Sequence, residues 1–154
     1  MSHEKLAAAI RMTITDIDEE FSAAEPLFKL GMSREFDFIE TAAAASILQS
    51  FYTGIENLVL FLCKALDGSV PQGQSWHRDL LDSTTQGSPN RIAIFASTTR
   101  DLLATYLDFR HVVRHGYARR LRPDRTRALL LEAPKVWAVV REGLERFAIS
   151  LQAG

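Results

Sequence analysis

Two histidines and two arginines fall within the string Arg110-His111-Val112-Val113-Arg114-His115, which runs on into Gly116-Tyr117. Histidine titrates near neutrality and can give or take a proton there. Arginine stays charged and can hold a phosphate through paired donors. RNA carries its own nucleophile, the 2′-hydroxyl. One base, one acid and a cation over the phosphate therefore suffice to cut it without metal or cofactor. Arg110, His111 and His115 supply those parts. His111 and His115 also have the i, i+4 spacing that can bind zinc. Two ligands do not make a site, however, and Arg110 and Arg114 repel a cation. A structural reading of each histidine stands beside the catalytic one.

On a helical wheel, Leu102, Tyr106, Phe109 and Val113 share one side, with Thr105 and Val112 beside them, and this side is the expected core face. Arg110, His111, Arg114 and His115 lie opposite, together with Leu103 and Leu107. Two leucines in a cationic face suggest a seam against a second copy of the chain. The alternative is that Leu103 and Leu107 cover another part of the same chain. Arg110 and His115 stand about 140° apart on an ideal helix. They can meet at one phosphate only near a helix end or across a dimer. Tyr117 returns to nearly the face of Arg110, and reads otherwise as an amphipathic cap on the helix end.

Charge is unevenly spread. Residues 1–40 hold nine acidic and four basic side chains, a net of −5, within a chain of net charge −1. Residues 110–127 hold seven arginines against Asp124 alone, a net of +6. Such a local field attracts phosphates. The alternative for Arg119 to Arg127 is a solvated helix end near the C-terminal dipole.

The elements that must position this string are helices, because the apolar spacing is helical almost throughout. Helix 1 is expected from about Ser2 to Leu30, broken or kinked by Pro26 and stopped at Gly31. A second helix, about Phe36 to Leu66, is apolar nearly all round in its second half and closes at Asp67-Gly68. Glu56 and Asn57 interrupt it and need partners if buried. Residues 67–97 are loop-rich, with a short helix at Trp76-Leu81 that contains His77, a further candidate for the site. A third helix, about Thr98 to Tyr117, opens on Thr98 and Asp101, which have the spacing of a capping box. The fourth runs from about Asp124 to Leu151, with Pro134 inside it. Four such helices predict an all-α, antiparallel four-helix bundle in one domain of 154 residues. A lone Cys63 excludes an internal disulfide and reads as a buried core thiol. No leader or membrane span is legible, so cytoplasmic residence is the expectation.

Arg110-x4-His115 resembles the Arg-x4-6-His motif of HEPN domains, and the longer string to Tyr117 resembles the Arg-x4-His-x-Tyr form of HepT-like ribonuclease toxins. The strings Phe51-Tyr-Thr-Gly-Ile-Glu-Asn57 and Gly73-Gln-Ser-Trp-His-Arg-Asp-Leu-Leu81 are similar to HepT-like proteins as well. The resemblance covers about residues 40–120. It implies a helical bundle, a homodimer with a composite site, and metal-independent cleavage of RNA, whether tRNA or mRNA. It also implies the toxin half of a type II- or VII-like toxin–antitoxin pair. By it, Arg110 orients the phosphate and His115 is the acid–base residue, while the residues themselves put His111, Arg114 and Tyr117 in a supporting, RNA-binding role. Tyr117 matches the tyrosine that a minimal nucleotidyltransferase (MNT-type) antitoxin AMPylates in some HepT toxins. Many relatives carry Asn after the motif arginine, where this chain has His111. The alternative expectation is a non-catalytic HEPN module that binds RNA or nucleotide, or serves as a helical interaction partner.

Overall fold

Asp37 opens the most apolar of the long helices. Its side chain accepts from the Glu40 backbone while Glu40 reaches back to the Asp37 N–H at 2.9 Å, a complete capping box. That helix runs thirty residues to Asp67 and stops where Gly68 adopts a left-handed φ of 78°. The computed structural model describes residues 1–116 and 121–153. Six helices occur among them: α1 (His3–Ala23), α2 (Glu25–Ser33), α3 (Phe38–Asp67), α4 (Trp76–Ser83), α5 (Ser97–His115) and α6 (Pro123–Ala153).

The four long helices, α1, α3, α5 and α6, form the bundle, and α2 and α4 are short additions. Contacts run in opposite order along neighbours. Ile17 lies against Gly54, and Phe21 against Phe51, which sets α1 antiparallel to α3. His3 meets the Leu151 carbonyl and Trp137 donates to Asp18 at 2.7 Å, which sets α1 antiparallel to α6. Phe95 touches Gly143 and the Tyr106 hydroxyl donates to the Leu129 carbonyl, which does the same for α5 and α6. By length and composition α3 could cross a membrane, but half of its most apolar window is buried inside the bundle.

Several expectations change in detail. The predicted first helix is two, because Pro26 falls in the first turn of α2 and α1 ends at Ala23. Gly31 does not stop the helix, which continues to Ser33. Gly31 is buried, and a Cβ there would stand 2.9 Å from the Phe36 ring, so packing explains the glycine. Thr98 and Asp101 form no capping box: α5 begins at Ser97 behind Ala96 with no side-chain cap, and Asp101 accepts from Arg100 instead. Pro134 leaves α6 continuous.

The largest correction concerns α5. Its buried residues are Thr99, Leu103, Tyr106, Leu107, Phe109 and Arg110. Leu103 and Leu107, expected as a dimer seam, lie in the chain's own core at 0% and 7% exposure. Leu102 and Val112, expected inside, are exposed at 41% and 55%. The buried arc is centred on Arg110 rather than opposite it. Helices α3, α4 and α6 all pack on α5, so the arc is wide. A carboxylate on α3 neutralises the arginine and lets it enter the core.

Candidate functional site

That carboxylate is Glu56. Both side chains are almost wholly buried, and Arg110 Nη2 donates to Glu56 Oε2 at 3.0 Å. Arg110 Nη1 donates to the Thr53 hydroxyl one turn earlier on α3, and the guanidinium lies 4.9 Å over the Tyr52 ring. Burial, with Glu56 nearby, pushes the Tyr52 hydroxyl above its ordinary value, so it stays neutral beneath the ion pair. The pair is a fixed polar anchor between α3 and α5.

His77 completes a triangle. Its Nδ1 stands 2.9 Å from both Glu56 Oε2 and Arg110 Nη2. A protonated Nδ1 donates to Glu56, whereas an unprotonated Nδ1 accepts from Arg110. The position of one proton on His77 is thereby tied to the Arg110–Glu56 pair. His77 is in place because Gly73, at φ 100°, turns the chain into α4, whose first turn carries Trp76 and His77. The indole stacks on the imidazole with ring centres 3.6 Å apart. Two further ion pairs, Arg78–Asp108 and Arg100–Asp82, hold α4 along α5. As exposed pairs they add little stability, about 0–1 kcal/mol each.

Between the start of α4 and the end of α5 lies a cavity of about 420 Å³. Arg110 and His77 line it, and so do His111, Arg114 and His115 from the last turns of α5. These last three side chains are exposed. The His111 and His115 rings meet edge to face with centres 4.3 Å apart. Arg110 and His115 do not share a stripe of the helix, yet one cavity is broad enough to reach both. Arg114 makes no ion pair among the described residues, whereas Arg78 and Arg110 are matched by Asp108 and Glu56. The cavity thus carries an excess positive charge before any histidine is protonated, which suits a phosphate. Among the described residues no three His, Cys, Asp or Glu side chains gather as a metal site.

The candidates from sequence fall into three groups. His111, Arg114 and His115 open into the cavity, and Arg110 forms part of its wall from inside the core. Tyr117, with Arg119 and Arg120, lies outside the described residues. Of the other arginines in the basic stretch, Arg122 pairs with Asp124, and Arg127 donates to the Gly31 carbonyl at 2.6 Å. Glu56 finds the partners its burial demands, whereas Asn57 is exposed and needs none. Thr53, Tyr52 and Asp108 were not singled out. The Thr53-x-x-Glu56 spacing, two polar groups on one face of an apolar helix, is the signal that points to the first of them.

No curated protein and no solved structure matches the chain. Residues 43–151 match the family described as HepT-like protein, a span that includes α4, α5 and most of α3 and α6. Every helix that lines the cavity falls within that match, and the chain belongs to the HepT-like family.

Proposed function

We propose that the chain is a metal-independent endoribonuclease that cuts RNA at the cavity between α4 and α5, and that it acts as the toxin of a toxin–antitoxin pair. HepT-like proteins are associated, as a family, with HEPN-type toxins and ribonuclease activity. The observation that carries the reading is the pairing of His111 and His115 beside Arg114 in one cationic cavity. In the proposed reaction a histidine takes the proton of the 2′-hydroxyl as its oxygen bonds to phosphorus. The bond from phosphorus to the 5′-oxygen breaks, and a second histidine protonates that oxygen. The products are a 2′,3′-cyclic phosphate and a 5′-hydroxyl. His115 and His111 are the acid–base pair, and Arg114 offsets charge on the phosphate. Arg110, expected from the sequence to orient the phosphate, is buried on Glu56 and acts in this reading as a positioning residue that holds His77 and the end of α5. A second copy of the chain would bring a second cationic face to the same RNA.

Labelled RNA in EDTA tests the catalytic claim. The parent is expected to cleave, and His115→Ala or His111→Ala to lose about a hundredfold to ten-thousandfold in rate. Expression should arrest growth, and His115→Ala should relieve the arrest. Folded variants as active as the parent would contradict the assignment.

The burial of Arg110 favours one alternative, a non-catalytic HEPN module that binds RNA, nucleotide or a helical partner. It would bind RNA with steep salt dependence and leave the strand intact. Regulation at Tyr117 is a separate part of the proposal. Co-expression with a cognate nucleotidyltransferase should add the mass of AMP, and the gain should vanish in Tyr117→Phe.

A further inference from the structure

Trp76 stands between two concavities of opposite character. On one side is the cationic cavity that holds His77, His111, Arg114 and His115. On the other is an open, almost wholly apolar concavity of about 340 Å³, formed with Leu60, Val70 and Pro71. Gly73 and Trp76 line both, so they form the wall between them. The indole is only partly buried, and its stacking on His77 fixes its plane. His77 is in turn held by Glu56 and Arg110, so the wall is anchored to the core.

A phosphate site beside an apolar, aromatic-walled hollow matches the two halves of a nucleotide. We infer that the Trp76 concavity is a base-binding subsite for the RNA proposed above, and that it takes the base next to the phosphate held by Arg114. Charge places the backbone in the first cavity. The lack of charged side chains around the second leaves it to an aromatic base, which gains contact with the indole and sheds water from Leu60 and Val70. Such a contact reads little sequence, because every base presents a π face. The subsite therefore favours unpaired strands over duplex, whose bases are already stacked. The inference rests on the nucleic-acid reading but not on catalysis.

The test uses a short 2′-O-methylated oligonucleotide, which lacks the nucleophile and cannot be cut, and the same oligomer stripped of its bases. Trp76 and Trp137 are the two tryptophans, and Trp137 is buried with its N–H on Asp18. A change in tryptophan emission on binding thus reports Trp76. The base-bearing oligomer should change the emission and bind about tenfold more tightly than the abasic one. Trp76→Ala should erase that difference, so that the base-bearing and abasic oligomers bind the variant alike. Trp76→Phe, which keeps a ring, should retain part of it. Equal binding of the two oligomers by the parent, with no emission change, would overturn the subsite. Failure to bind either oligomer would overturn the nucleic-acid reading and the subsite together. A parent that binds by its bases yet cuts no RNA sinks only the catalytic claim.

Discussion

Removing the charge of Glu56 leaves Arg110 as an uncompensated cation inside the bundle. Glu56→Gln should therefore cost about 3 kcal/mol or more, read from urea unfolding. Converting the pair together to Glu56→Leu and Arg110→Met should recover much of that loss, since an apolar pair of similar size needs no counter-charge. A single variant as stable as the parent would show that the pair is not the anchor between α3 and α5. This pair also explains what the sequence conceals. Helical periodicity places Arg110 outward because arginine is rarely buried, and nothing local overrides that rule. The residue that does override it lies 54 positions away on α3. Glu56 reads as a polar interruption that needs a partner, but its partner cannot be named from spacing alone. The exposed positions, His111, Arg114 and His115, are legible because they obey the ordinary rule.

At the scale of elements, the helix ends are legible where a single residue dictates backbone geometry. Pro26 and Gly68 each mark a boundary close to the one observed, whereas the Asp37 cap, just past the expected start at Phe36, is not read in advance. Gly31 misleads because its small size serves packing, not termination. Gly31→Ala pushes a methyl into Phe36 and should cost about 1–3 kcal/mol. An unchanged melting temperature would mean that Phe36 yields freely. The connection from α4 to α5 has its own lock. Arg91 is buried and donates to Asp67 at the end of α3, and also to the carbonyls of Gln86 and Ser83. Burial alone would raise the Asp67 carboxyl, but hydrogen bonds from Arg91 and Ser88, with the charge of Arg91, hold it below its ordinary value. Because the folded value is lowered, its stabilisation is complete above the ordinary carboxylate range. It is lost as pH falls through the lowered value. Asp67→Asn should therefore be less stable than the parent near neutrality, and the gap should close in acid. A gap of constant size across pH would contradict the lock.

At the scale of the molecule, the all-α bundle follows from periodicity, but the face that α5 turns inward does not. A wheel assigns one inner face to each helix, whereas α5 is covered by three neighbours and buries a wide arc. Leu103 and Leu107 belong to that arc. Leu103→Ala should cost about 2–5 kcal/mol through the cavity it leaves, without changing the oligomeric state of the molecules that remain folded. Loss of a dimer at unchanged stability would restore the leucines to an interface. The separation of Arg110 and His115 along α5 is no obstacle to the proposed reaction, in which Arg110 is held by Glu56 and Arg114 takes the phosphate. The claim that this cavity cuts RNA by the strand's own hydroxyl is tested most directly with a strand bearing one 2′-deoxy nucleotide at the cleavage position, incubated in EDTA. The all-ribose strand should be cut to a 2′,3′-cyclic phosphate and a 5′-hydroxyl, and the deoxy strand should stay whole at that position. Cleavage at the deoxy nucleotide, or loss of all cleavage in EDTA, would contradict it.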